Sequence, residues 1–165
     1  MIEMGIDPLE FRKALGHFAT GVTVVTTSHE NADHGLTVNA FTSVSLDPPL
    51  VLVCIDKKAE SYWVMKKSRI FAINILSEKQ KEQSVDFSRH ELKDIRFRNL
   101  KMKREVTGAP IIEDSIAYLD CKVVEIYDGG DHDIFVGAVQ KLAFREADPL
   151  LFYAGKYGKI GSQID

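Results

Sequence analysis

Cysteine is scarce in this chain of 165 residues: only Cys54 and Cys121 occur, and both lie inside apolar runs. Two isolated thiols exclude a disulfide framework and a cysteine metal cluster, and point to reduced, buried cysteines in a cytoplasmic protein. Long apolar runs are missing too, since none approaches the roughly 20 residues that span a bilayer. The opening MIEMGIDPLEF has no basic segment leading into an apolar core, so no signal peptide is expected. Charge is nearly balanced at a net -3, which gives no whole-surface attraction to nucleic acid or membrane. No Walker sequence or GxGxxG is present, so a dinucleotide would not be held in the Rossmann manner. No GxSxG elbow is present either. The chain also lacks a βαβ rhythm, an internal repeat and a low-complexity linker. A single domain spanning residues 1–165 is therefore expected.

What is present reads as strands. Asp7-Pro8 starts a short helix, with Phe11, Leu15 and Phe18 recurring as one apolar stripe. GVTVVTTS is β-branched and predicts a strand. HENADHG reads as a turn whose Gly35 opens a second strand, LTVNAFTSVSL, broken by Asp47-Pro48-Pro49. LVLVCI is a continuous apolar run of buried-strand type. A helix is expected over Ala59–Lys67 and a strand over Phe71–Leu76. Ser77 with Gln80 has capping-box spacing, predicting a second short helix.

Arg89–Arg104 holds seven basic residues against Glu91 and Asp94, and reads as a solvated flap. Nucleic-acid binding is its functional counterpart, without a recognised module to support it. Two long strands follow, SIAYLDCKVVEIY and IFVGAVQKLAF, the second with Ile134, Val136, Ala138, Leu142 and Phe144 on one face. DGGDHD is the turn between them. LLFYAG closes the pattern. Six or more strands with few, short helices predict a mainly β protein built as an antiparallel barrel or sandwich.

Two places carry candidate chemistry. Alternation from Gly35 to Leu50 puts Thr37, Asn39, Phe41, Ser43 and Ser45 on one face. Hydroxyls and an amide are poor core material, so that face either binds a ligand rich in acceptors or is a half-exposed edge. His132, between Asp131 and Asp133 after two glycines, is a solvated turn residue, a metal ligand or a group that touches substrate. His29 and His34 share a turn but lack a third ligand nearby, and no metal site is expected.

FRKALGHFATGVTVVTT, HGLTVNAFTSVSLDPPLVLVCIDKKA, GDHDIFVGAV and DPLLFYAGKY, in this order and spacing, resemble the flavin reductase family. These are small FMN- or FAD-dependent NAD(P)H oxidoreductases with an antiparallel split β-barrel fold. The resemblance runs from about Phe11 to Tyr157, and is nearest to the reductase components of two-component phenol and 4-hydroxyphenylacetate monooxygenases. It implies flavin contacts along Thr37, Val38, Asn39, Ala40 and Phe41, with Ser43 and Val44. It implies backbone donors and a cation for flavin phosphate at Lys57, Lys58 and Ala59, and places Phe87 near the flavin. His132 would stand beside the nicotinamide of NADH or NADPH, with Tyr157 also approaching that nucleotide.

The resemblance further implies a homodimer and a partner monooxygenase that receives reduced flavin, without a stable complex. Hydride transfer needs stacked rings rather than a strong acid or base, so His132 is expected to position and polarise. Two other functions remain on the sequence: a flavin-dependent ferric reductase, and a non-enzymatic FMN-binding protein.

Overall fold

In the computed structural model, which describes residues 5–164, local turn chemistry sets the order of elements. The first four residues of the opening segment read above for a leader lie outside the described ones. Asp7 caps helix α1 (Pro8–Leu15), its carboxylate accepting the Leu9 N–H at 2.9 Å, and Pro8 takes the first helical position. The expected Phe11/Leu15/Phe18 stripe buries nothing within the chain; Phe18 is 79% exposed.

Strand β1 (Thr20–Gly21) leads to β2 (Thr23–His29), whose first five residues are all buried. The expected seven-residue turn after it shrinks to Glu30 and Asn31, both with positive φ (51° and 62°), and β3 (Ala32–Val38) starts at once. The single strand expected from Gly35 to Leu46 is two. The chain bends at Asn39-Ala40, with Phe41 N–H donating to Asn39 O and Cys54 N–H to Ala40 O. Strand β4 (Phe41–Ser45) thereby pairs with β5 (Leu50–Asp56) at the far edge of the sheet. That bend invalidates one face running from Thr37 to Ser45. β5 is not buried throughout either: Val51, Val53 and Ile55 enter the core while Leu52 and Cys54 alternate outward.

Helix α2 (Glu60–Ser68) follows, inserting Tyr62 and Met65 into the core before β6 (Ile70–Ile75). The Ser77/Gln80 capping box forms as expected, opening a 3₁₀ turn that runs into α3 (Lys81–Ser88). β7 (Met102–Arg104) and β8 (Pro110–Ile112) make a two-stranded ribbon. β9 (Ala117–Gly129) and β10 (His132–Phe144) form a long hairpin turned by Gly130, at φ 88°, and Asp131. β11 (Leu151–Tyr153) and β12 (Lys156–Gly158) join β1 in a three-stranded sheet.

The main sheet has seven antiparallel strands in the order β3-β2-β6-β9-β10-β5-β4. Its core side is filled by Val25, Val53, Ile55, Phe71, Ile73 and Phe135, together with α2. The face expected for β10 is corrected. Phe135 is fully buried, whereas Leu142 and Phe144 are exposed, because register shifts at Val136/Gly137 and Val139/Lys141 interrupt the alternation. Gly137 is required there: a Cβ would stand 2.5 Å from the Phe71 ring.

Candidate active site

Helices α2 and α3 both pack against β3, and between them lies a cavity of about 970 Å³. Its remaining wall is the irregular segment after α3, through His90, Lys93, Arg96 and Phe97. Of the residues expected to bind, Thr37, Lys58, Ala59 and Phe87 line it. Phe87 is buried, with Phe97 edge-on to its ring at 5.0 Å. Gly35 lets β3 approach this pair, since a Cβ would come within 2.8 Å of the Phe87 ring. The Thr37 hydroxyl donates to the Ser84 carbonyl at 2.6 Å. The Ser84 hydroxyl meets the Tyr157 hydroxyl at 2.7 Å, which brings Tyr157 to the same wall without lining the cavity.

The turn between β5 and α2 differs from expectation. Its backbone donors are already used: Lys57 N–H to Asp131 O, Lys58 N–H to Asp56 Oδ1, and Ala59 N–H to Asp56 O. Lys57's ammonium is also engaged, by Asp128 and, at 2.7 Å, by Gly130 O. The Asp128 hydrogen bond above all, with Asp133, raises the Lys57 pKa, and Lys57 in turn pulls the Asp128 carboxyl down. Of the two lysines in this turn, Lys58 is the one that lines the cavity. The unbonded donors lie one step further on, because the first N–H groups of a helix have no intrahelical acceptor. In α2 these belong to Glu60 and Ser61, and both residues line the cavity. The sequence does not mark them, because the amides of the preceding turn are consumed by Asp56 and by the distant Asp131.

The rest of the expected strand forms a ledge outside the cavity. Val38 is a core side chain, and its carbonyl accepts the Thr23 hydroxyl at 2.6 Å. Asn39 and Ala40 are exposed at the bend, and Asn39 Nδ2 reaches Thr20 Oγ1 at 3.4 Å. Phe41 packs on the core, while Ser43 and Val44 are exposed on the edge strand β4.

His132 begins β10 directly opposite Asp56, a residue of the cavity wall. Its side chain is 41% exposed, and Nδ1 lies 2.7 Å from Asp131 Oδ1. That contact holds the Asp131 carboxyl below the ordinary carboxylate range. His132 therefore stands one strand away from the cavity rather than in it.

The basic segment is mostly exposed, as expected of a solvated flap, but it is docked on the cavity wall through Arg96. Arg96 donates to Gly35 O at 2.9 Å and Phe87 O at 3.1 Å, with its guanidinium 5.5 Å from the Phe87 ring centre. Burial lowers its pKa. Lys93 reaches Glu60 at 3.5 Å, linking the segment to α2. The available signal was the sequence Ile95-Arg96-Phe97, two apolar residues flanking an arginine inside a polar run. The cysteines are structural: burial pushes Cys121 up to about 12 and raises Cys54.

The family model described as the flavin reductase like domain matches residues 15–161. The chain belongs to this family. Among flavin reductase relatives, the Mycobacterium tuberculosis protein named flavin-dependent monooxygenase, reductase subunit HsaB, is 43% identical over 94% of this chain and 83% of its own. A Rhodococcus NADH-dependent flavin reductase is 42% identical over 94% of this chain and 88% of its own. The solved structure of a Streptomyces globisporus NADH:FAD oxidoreductase in complex with NAD and FAD fragments superposes with a TM-score of 0.90. It is 34% identical and covers 98% of this chain and 99% of that one.

Within this flavin reductase domain the residues suit a flavin nucleotide. The cavity volume lies within the ordinary range for small-molecule sites, about 300–1,000 Å³. Two open N–H groups at a helix start and the Lys58 ammonium are a donor set suited to phosphate.

Proposed function

We propose that this protein is an NADH-dependent flavin reductase that takes FMN or FAD and supplies the reduced flavin to a partner monooxygenase. One observation carries the reading. A cavity lined by Lys58 and by Glu60 and Ser61 at a helix start lies one strand away from His132, the residue that the family resemblance puts on the nicotinamide side. The relatives' names supply the donor, NADH, and the reductase role in two-component monooxygenases.

In this reading the α2 amides and Lys58 hold the flavin phosphate, and Phe87 and Thr37 form the wall behind the nucleotide. The exposed ledge from Asn39 to Val44 is open for the flavin ring. When bound, nicotinamide and flavin supply the chemistry, a hydride passing from one ring to the other. The chain would hold the two rings in reacting contact and exclude competing geometries. His132, oriented through Nδ1 by Asp131, presents Nε2 towards the nicotinamide side as a positioning group.

Two finer features belong to the same proposal. The seven-stranded sheet is read as a split barrel; the two-residue bend at Asn39-Ala40, which carries the chain from one edge strand, β3, to the other, β4, supports that reading. The protein works as a homodimer, which would cover the exposed apolar side chains of α1 and of the end of β10. Among the described residues no helix is long and apolar enough to cross a membrane.

The test is NADH oxidation followed with and without added FMN or FAD. Oxidation that depends on flavin is expected. Absence of flavin-dependent oxidation with both flavins would overturn the assignment.

A further inference from the structure

His132 sits between two aspartates that do different work. Asp131 is an exposed carboxylate that touches the imidazole. Asp133 points to the other face of β10, beside the fully buried Phe135, and its side chain is only 7% exposed. A carboxylate in such a place is costly unless it is well partnered. Its partners come from two other elements. The Tyr62 hydroxyl, on α2, donates to Oδ2 at 2.6 Å. Lys66, one turn further along α2, lies 3.6 Å from the same oxygen and donates to the Tyr62 hydroxyl at 3.0 Å, which commits Tyr62's own proton to Asp133. Lys57, in the turn before α2, lies 3.5 Å from Oδ1.

Lys57 also clamps the hairpin turn itself. Its ammonium binds Asp128 and the Gly130 carbonyl, and its N–H donates to Asp131 O at 3.0 Å. Tyr62 is fixed in turn by edge-on packing against Phe135 at 6.0 Å and Trp63 at 4.9 Å. The β9–β10 turn is thus fastened before His132 to the turn that precedes α2, and after it to α2 itself. None of Lys57, Tyr62, Lys66 and Asp133 lines the large cavity; they share a separate depression with Trp63 and Ile126. Tyr62 nevertheless belongs to the same first turn of α2 as Glu60 and Ser61, which line the cavity.

We propose that Asp133, held by Tyr62 and Lys57, is a positioning residue that sets the distance between His132 and the N-terminal turn of α2. It thereby aligns the nicotinamide side of the site with the flavin side while touching neither nucleotide. The inference rests on the reading of His132 given above. Its physical basis is the steep dependence of ring-to-ring transfer on geometry: a displacement of about 1 Å costs on the order of 100-fold in rate. A buried carboxylate with directional partners fixes that geometry more sharply than an apolar pair of equal volume would.

The experiment compares Asp133→Asn, Tyr62→Phe and His132→Ala, together with the Asp133→Asn/His132→Ala double variant. Tyr62→Phe keeps the ring packing and serves where Asp133→Asn folds poorly. FMN affinity is measured by fluorescence titration, and kcat and KM for NADH are measured at saturating FMN. Both clamp variants are expected to keep FMN affinity within about threefold and to lower kcat/KM for NADH by about 10- to 100-fold. In the His132→Ala background the further loss from Asp133→Asn should shrink to less than about threefold, since residues acting through one group are not additive. Full loss from Asp133→Asn in that background, or equal loss of FMN affinity and NADH turnover in both clamp variants, would overturn the proposal while leaving His132 in place. An unchanged kcat/KM in His132→Ala would remove the reading of His132, and the proposal with it.

Discussion

The hydroxyl groups of Ser84 and Tyr157 lie 2.7 Å apart, and the Ser84 carbonyl accepts the Thr37 hydroxyl at 2.6 Å. One residue of α3 thus ties the C-terminal sheet to the cavity wall on β3. Tyr157→Phe removes one link and leaves the ring against Phe152. Its expected cost is about 1 kcal/mol in urea unfolding, the usual net value of a neutral hydrogen bond. Flavin affinity should be unchanged, since Tyr157 does not line the cavity.

Arg96 is expected to matter through two carbonyls rather than through phosphate. Arg96→Met leaves Gly35 O and Phe87 O without their donor and removes the cation beside the Phe87 ring. A loss of about 1–3 kcal/mol in stability is expected. Flavin affinity should fall as the wall loosens. Lysine is not an equivalent replacement, because it lacks the planar fork. Chemical denaturation and fluorescence titration of flavin check both effects.

The adjacent lysines should separate cleanly. Lys58→Ala is expected to weaken flavin binding by about tenfold and to reduce its dependence on salt, as loss of one exposed cation facing phosphate would. Lys57→Ala should leave flavin binding nearly unchanged and lower NADH turnover through the hairpin it clamps. Titrations at low and high ionic strength distinguish the two.

Asp133 gives stability a defined pH dependence. Its carboxyl is held below the ordinary range, first by the Tyr62 hydrogen bond and then by Lys57 and Lys66. A carboxyl with a depressed folded-state pKa stabilises the fold above its unfolded value, about 3.9, and loses that contribution as pH falls through the folded value. The wild-type Tm should therefore drop below about pH 4 more steeply than that of Asp133→Asn. Melting curves across the acid range report the difference.

Gly137→Ala should be poorly tolerated. The added Cβ would meet the Phe71 ring at 2.5 Å and Cys121 Cβ at 2.9 Å, both in fully buried side chains. Overpacking of this kind costs about 1–3 kcal/mol. Thermal unfolding is the direct measure.

Much of the fold was legible because its signals are local. The β-branched run of β2, the Ser77/Gln80 box and the Gly130 turn each act within a few residues. The misread features depend on distant partners. The bend at Asn39-Ala40 is fixed by Cys54 donating to Ala40, and no residue before Ala40 announces that bond. The buried face of β10 is shifted by register changes beside Gly137, where the Phe71 ring comes close. At the candidate site, Lys57 and Lys58 are indistinguishable in sequence until Asp128, Gly130 and Asp133 arrive on the hairpin and claim the first. Arg96 looked like a surface charge because its acceptors are backbone carbonyls, which a sequence does not display.

The central claim is tested most directly by mixing NADH with FMN or FAD and a catalytic amount of the protein without oxygen, while recording the visible flavin band. Flavin reductase activity predicts bleaching of the band, with one flavin reduced for each NADH consumed. A protein that binds flavin yet leaves the band unchanged after NADH is added would contradict the account.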